Sequence, residues 1–159
     1  MKKETILLKI ALIFIGLPVL ALAIYLIVMF ASIGNQLNPT YAYIIYSLLV
    51  IFYLMLVPFF YAIYQAIKLL TLIDKDQSFS IESINALKWI KYSAMIILLL
   101  GSIAMPFVYL VAELDDAPGL ILFAMIIPFG ALIITLLAAI LQKVLKNAFE
   151  IKTENELTV

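Results

Sequence analysis

The chain has 159 residues, of which 67% are hydrophobic, and its mean hydropathy is +1.20. Soluble domains are roughly 45–50% apolar, so this composition excludes a soluble globular protein. The formal net charge is zero, and arginine, histidine and cysteine are absent. These absences exclude a basic nucleic-acid-binding surface, disulfides, and thiol or histidine chemistry. Lysine without arginine, together with abundant isoleucine, indicates an AT-rich bacterial source.

Four apolar segments are long enough to cross a bilayer, because a hydrocarbon core of roughly 30 Å needs about 20 apolar residues per helix. We therefore predict an all-α integral membrane protein with four transmembrane helices in a bundle, at about 7–32, 41–70, 81–112 and 117–147. The segments between and after them are predicted as outer loops (33–40 and 113–116), an inner loop (71–80) and a cytoplasmic tail (148–159). All of these belong to one predicted domain.

The first predicted helix begins like a signal peptide, since Lys2 and Lys3 precede an apolar run. The apolar regions of signal peptides are about 7–15 residues long. This run continues to Ser32. The sequence therefore favours an uncleaved first helix.

The third predicted helix has a clear start signal. Ser80 is of a type that caps helix N-termini, and Glu82 would lie in the first turn. Phe79 and Ile84 are spaced as a hydrophobic staple around that cap. This helix is predicted to start outside the bilayer and to enter it through the interface.

An acidic cluster precedes the fourth predicted helix, at Glu113, Asp115 and Asp116. One interpretation is capture of a divalent cation or a cationic peptide. The other is that Asp116 caps the fourth helix, with Pro118 in its first turn, while the other two carboxylates remain in water. The sequence favours the second interpretation, because carboxylates stabilise helix N-termini.

Small or weakly polar residues recur along the fourth helix at a spacing of four, three, four and three, namely Ala124, Pro128, Ala131, Thr135 and Ala138. Membrane helices associate through such residues, since lipid tails are as apolar as leucine. This packing seam is predicted to face the other helices. Its alternative partner is a second copy of the chain, in a homo-oligomer.

Two further patterns bear on activity. Each helix contains one proline, at Pro18, Pro58, Pro106 and Pro128, and fixed kinks are favoured over hinges.

Residues 10–67, 92–112 and 117–142 carry no charged side chain. Ion-coupled transporters mark their pathways with ionisable residues, so coupled transport is disfavoured. No nucleophile–base pair or metal shell is apparent, and we expect neither an enzyme nor a cofactor.

The lysines predict the orientation of the chain. They all lie before the first apolar run, between the second and third runs, or after the fourth: Lys2, Lys3, Lys9, Lys68, Lys75, Lys88, Lys91, Lys143, Lys146 and Lys152. Short lysine-rich segments stay in the cytoplasm. Both termini are therefore predicted to be cytoplasmic, in a bacterial plasma membrane.

Three segments resemble a bacterial family of four-pass membrane proteins known as domain of unknown function 2975. They are Phe79-Ser80 with Ala86-Leu87-Lys88-x-Ile90-Lys91, then Glu113-x-Asp115-Asp116-Ala117-Pro118-Gly119, and the tail from Ile151 to Val159. The resemblance implies four helices with both termini inside, and it brings no activity, substrate or catalytic residue. It also suggests a partner, because members of that family often occur beside small helix-turn-helix regulators.

Two functional hypotheses follow. In the first, the chain is a regulatory or sensor protein whose inner surface, including Lys88, Lys91, Lys152 and Glu154, binds a small cytoplasmic helix-turn-helix regulator; the chain itself would bind the lipid bilayer and no nucleic acid. In the second, it is a non-enzymatic envelope protein for passive transport, immunity or protection against membrane-active peptides, acting through the acidic outer loop.

Overall fold

The computed structural model describes residues 2–157; Met1, Thr158 and Val159, including the last two residues of the predicted tail, lie outside the described residues. The described chain forms four long helices, α1 (Lys2–Ile33), α2 (Pro39–Asp74), α3 (Ile81–Leu114) and α4 (Gly119–Leu157). A short 3₁₀ turn, Gly34–Gln36, follows α1. Each long helix is apolar enough and long enough to span a membrane, as the sequence predicted.

Local hydrogen bonds set the starts of α2 and α3. The Asn38 side chain accepts a hydrogen bond from the Thr40 backbone N–H at 3.0 Å, and Pro39 occupies the first turn, where its missing donor costs nothing. Ser80 accepts a bond from the Ser83 N–H at 3.2 Å and caps α3, which confirms the predicted cap. The fully buried Ser83 hydroxyl donates to the Gln77 carbonyl at 2.8 Å, so the loop is tied to the helix it precedes.

The helices pack in the order in which they follow one another. α1 packs on α2, α2 on α3 and α3 on α4, whereas α1 and α4 share no extensive contact within the described residues. The bundle is therefore open, with α3 between two neighbours. Its buried positions are mostly small, including Ala86, Ala94, Gly101 and Ala104, and these let the backbones approach closely.

Three helix boundaries differ by more than two residues from those predicted. α1 begins at Lys2 rather than near residue 7, and α2 continues to Asp74 rather than 70. The largest difference is in α4, which continues through Leu157, so residues 148–157 form helix and not a separate tail. The polar composition of this segment does not oppose a helix, and its residues Ala148 and Ile151 line a cavity together with Phe79 of the α2–α3 loop.

Candidate functional site at the lysine-bearing end

Contacts between helices place all ten lysines at one end of the molecule. Asp74, at the end of α2, accepts a hydrogen bond from Thr5 of α1 and forms an ion pair with Lys9 at 3.5 Å. Lys91 of α3 donates to Gln142 of α4 at 2.9 Å. The starts of α1 and α3 therefore lie beside the ends of α2 and α4, and we call this the lysine-bearing end.

The last part of α4 projects beyond the apolar span. Residues 117–142 are free of charge, whereas residues 143–157 carry three lysines and three glutamates. At about 1.5 Å per residue, these 15 residues extend for roughly 22 Å. We call residues 143–157 the α4 extension. This part of α4 lies beyond the charge-free segment of the helix.

A cavity of about 530 Å³ lies between the α4 extension and the α2–α3 loop. We call it the Phe79 groove, and its lining residues are Phe79, Ala148, Ile151, Lys152, Asn155 and Glu156. Phe79 is 49% exposed and Ile151 is 59% exposed, so both apolar side chains are open to solvent. The cap at Ser80 and the buried Ser83 fix the backbone that presents the Phe79 ring. The groove combines an apolar floor with charged groups of both signs.

The four residues predicted as one inner surface fall into two groups. Lys152 lines the Phe79 groove, and Glu154 lies exposed on the same extension without lining it. Lys88 and Lys91 lie on α3, where their ammonium groups face the rings of Trp89 and Tyr92. Sequence reasoning missed the contribution of Ala148 and Ile151. The helical spacing of Ala148, Ile151 and Asn155 was the available signal.

The acidic cluster lies at the opposite end of the molecule, and Glu113, Asp115 and Asp116 are all exposed. The Tyr41 hydroxyl donates to Asp115 at 3.1 Å and joins the start of α2 to the end of α3. Both residues line a second cavity of about 450 Å³. Within residues 2–157, no three carboxylates are placed to coordinate a metal ion.

The prediction that Asp116 caps α4 is wrong. α4 begins at Gly119, and Asp116 has a φ of 50°, in the left-handed region. The Ala117 N–H bonds to the Ala112 carbonyl at 2.8 Å, which is the closing bond of a Schellman motif. Asp116 therefore ends α3 and does not start α4.

The predicted packing seam of α4 lies against α3. Pro128 packs next to Gly101, and a β-carbon on Gly101 would be 3.4 Å from the Pro128 Cδ. Ala131 and Ala138 are buried, while Ala124 and Thr135 are half-buried. The Thr135 hydroxyl donates to the Ala131 carbonyl of its own helix at 2.7 Å. These positions account for the close approach of the two helices.

Comparison with known proteins shows the family of the chain. Residues 29–159 match the family described as "Protein of unknown function (DUF2975)". The chain belongs to this family. It is also 48% identical over 158 residues to the "Uncharacterized membrane protein YoaS" of Bacillus subtilis (strain 168), and the alignment covers 99% of each chain. No solved structure matches significantly. The family resemblance and the membrane-protein class predicted from sequence are both confirmed.

The DUF2975 match begins near the end of α1 and covers α2, α3 and α4 in full. It therefore includes the Phe79 groove, the lysines of α3 and the acidic cluster. The relative from B. subtilis aligns over α1 as well.

Proposed function

We propose that this DUF2975 protein is a regulatory or sensor protein of the bacterial plasma membrane, and that its lysine-bearing end holds a small cytoplasmic helix-turn-helix regulator. The observation that carries the proposal is the Phe79 groove, an open apolar surface on a helix that extends past the membrane span. The proposal is of a binding protein without catalytic activity, since the chain has no histidine and no cysteine.

The lysines support a cytoplasmic position for the groove. Ten lysines lie at this end and none at the other, and short segments rich in lysine are retained in the cytoplasm. The same orientation places both termini inside the cell. A regulator in the cytoplasm would then meet the groove directly.

The composition of the groove suits a helical partner. Amphipathic helices bind by placing their apolar face in a hydrophobic groove, and aromatic side chains are common anchors of such interfaces. Phe79 and Ile151 offer the apolar contact, while Lys152 and Glu156 can pair with charges at its edge. Small helix-turn-helix regulators consist of short helices of this kind.

The test uses the full chain in nanodiscs and a purified small helix-turn-helix regulator of the kind that often occurs beside members of this family. We expect saturable binding that Phe79→Ala and Ile151→Glu each weaken by at least tenfold, because the apolar contact is lost. Val144→Ala is the matched control, since Val144 is an exposed apolar residue of the α4 extension that does not line the groove. Absence of binding, or equal weakening by the control, would overturn the proposal.

A second candidate function is supported by the exposure of all three carboxylates of the acidic cluster. In this alternative the protein protects the envelope against cationic membrane-active peptides, or takes part in passive transport or immunity. Replacing Glu113 with Gln, and Asp115 and Asp116 with Asn, should then abolish protection in living cells. If these substitutions leave peptide sensitivity unchanged, the protective role is excluded. The Phe79→Ala variant is the control and should still protect the cells.

A further inference from the structure

Two lysines of α3 share one aromatic ring. The Lys91 ammonium lies 5.1 Å from the centroid of the Tyr92 ring, and the Lys88 ammonium lies 6.0 Å from the same centroid. Lys88 also lies 5.4 Å from the centroid of the Trp89 ring. These distances fall within the range of cation–π interactions, so both ammonium groups lie beside the Tyr92 ring.

Neighbouring helices fix this arrangement. The Tyr61 ring of α2 packs edge-on against Trp89 at 6.3 Å, and Trp89 packs against Tyr92 at 6.1 Å. Lys91 donates to Gln142 of α4 at 2.9 Å. Three helices therefore contribute to the site, and the lysines are not free to spread over the surface as isolated side chains would be.

The position along α3 places the site at the depth of lipid headgroups. Lys91 lies 24 positions before Asp115, which corresponds to about 36 Å along a helix. The hydrocarbon core is roughly 30 Å thick. Trp89 is 43% and Tyr92 is 40% exposed, as expected of rings in the interfacial belt. An anion that reaches both lysines would most readily come from the bilayer.

Protein carboxylates do not neutralise these charges. Within residues 2–157, Lys9 forms an ion pair with Asp74, whereas neither Lys88 nor Lys91 pairs with a carboxylate. Gln142 supplies only a neutral oxygen to Lys91. The site is thus a pair of uncompensated cations with aromatic walls.

We propose that Lys88 and Lys91, with Trp89 and Tyr92, bind the phosphate headgroup of an anionic glycerophospholipid in the leaflet at the lysine-bearing end. The two ammonium groups contact the phosphate oxygens, and the rings contact the glycerol and the first carbons of the acyl chains. This site is separate from the Phe79 groove, and it makes Lys88 and Lys91 lipid ligands and not part of the protein-binding surface.

The single tryptophan of the chain provides a direct measurement, because Trp89 lies inside the site. Acyl chains carrying bromine quench tryptophan fluorescence on contact. In vesicles of phosphatidylcholine with a minor fraction of brominated lipid, we expect brominated phosphatidylglycerol to quench Trp89 more than brominated phosphatidylcholine does. Each lysine should increase the preference for phosphatidylglycerol over phosphatidylcholine about fivefold, since a lysine near an anionic surface contributes about 1 kcal/mol.

Matched variants separate a specific site from general attraction. Lys88→Gln with Lys91→Gln should remove most of the preference, whereas Lys88→Arg with Lys91→Arg should retain it. The control is Lys75→Gln with Lys146→Gln, which loses the same charge at exposed lysines that contact no ring in the described residues. Equal loss in the control, or no preference in the unmodified chain, would overturn the proposal.

Two further measurements complete the test. Circular dichroism should show the same helical content in all variants, and Lys88→Gln alone, which leaves the Lys91–Gln142 bond intact, should lose about half of the preference in free energy. Inorganic phosphate added to phosphatidylcholine vesicles should not protect Trp89 from brominated phosphatidylglycerol. Full competition by free phosphate would assign the site to a soluble anion and would overturn the lipid proposal.

Discussion

Two aspartates occupy backbone positions where proteins usually place glycine. Asp76 has a φ of 58° and Asp116 a φ of 50°, and each follows the last turn of a helix. In both cases the next residue closes the motif, with Gln77 N–H bonding to Leu72 and Ala117 N–H bonding to Ala112, at 2.8 Å each. Glycine is favoured at this position because a β-carbon strains the left-handed conformation. Both helices therefore end at a small conformational cost.

We expect Asp116→Gly to stabilise the protein, since it removes that strain while leaving the Schellman bonds intact. The free energy of unfolding should rise by roughly 0.5 kcal/mol, the strain relief being partly offset by greater freedom of the unfolded chain. Glu113→Gly is the control, because Glu113 lies within α3. Its free energy of unfolding should fall by about 1 kcal/mol, the cost of glycine in a helix. Thermal unfolding in detergent would measure both, and a decrease for Asp116→Gly would contradict the assignment.

At the level of helices, α3 has the central position, and its contact with α4 depends on Gly101. Pro128 occupies the space beside this glycine, with its Cδ 3.4 Å from where a β-carbon would lie. A methyl group therefore just fits, whereas a larger side chain would separate the helices. Gly130 on α4 has no atom within 4 Å of the corresponding point, so it offers the opposite environment.

This contrast predicts that Gly101→Leu lowers the free energy of unfolding by about 1–3 kcal/mol, as overpacking generally does. Gly130→Leu makes the same gain in helix propensity but adds its side chain to open space, and we expect no loss. Gly101→Ala should be close to neutral. The free energies of unfolding of the three variants would be measured in the same detergent. Similar values for both leucine variants would contradict close packing of Pro128 against Gly101.

The first helix is attached to α2 by polar contacts at its start and by the Tyr53 hydroxyl, which donates to the Ala23 carbonyl at 2.6 Å. It packs on α2 alone among the long helices, and its buried residues are Thr5, Gly16 and Ala23. Asp74 holds the lysine-bearing end of this contact through Thr5 and Lys9. Partly exposed ion pairs contribute little to stability. The start of α1 is therefore expected to open more readily than the contact between α3 and α4.

Asp74→Asn should increase amide hydrogen exchange in residues 2–9 by a few-fold, because the ion pair with Lys9 is lost. Exchange in residues 125–140 should not change, since that part of α4 packs on α3. Asp76→Asn is the control: Asp76 is exposed, and asparagine tolerates its left-handed conformation. Mass spectrometry of the protein in nanodiscs would show a general increase in exchange if α1 were coupled to the entire bundle.

At the scale of the whole molecule, sequence was sufficient to predict features with local causes. Apolar length predicted four helices, and Ser80 predicted the start of α3 because a cap acts on the next three residues. Spacing also indicated the seam residues, since helical periodicity places Ala131 and Ala138 on one face.

The remaining features depend on contacts that composition does not encode. The α4 extension is helical beside Phe79, a residue some 70 positions away in sequence. Asp116 was assigned to the wrong helix because an aspartate gives the same signal before a helix as after one. Grouping Lys88 with Lys152 followed from their shared charge, whereas their depths differ: Lys91, one turn from Lys88, lies beside Gln142, and Lys152 is ten residues further along α4.

Orientation in the membrane is the prediction on which the proposed regulator depends, and the chain is suited to a direct test because it has no cysteine. Single cysteines can replace the exposed polar residues Asn35, at the lysine-free end, and Gln77 and Asn147, at the lysine-bearing end. None of these substitutions changes the charge on which the prediction is based. We expect a membrane-impermeant maleimide to label Asn35→Cys in intact cells, and to label Gln77→Cys and Asn147→Cys only after the membrane is opened. The reverse pattern would place the Phe79 groove outside the cell, where a cytoplasmic regulator could not reach it. Labelling of both ends in intact cells would instead indicate mixed insertion, in which case lysine asymmetry does not determine the orientation of this chain.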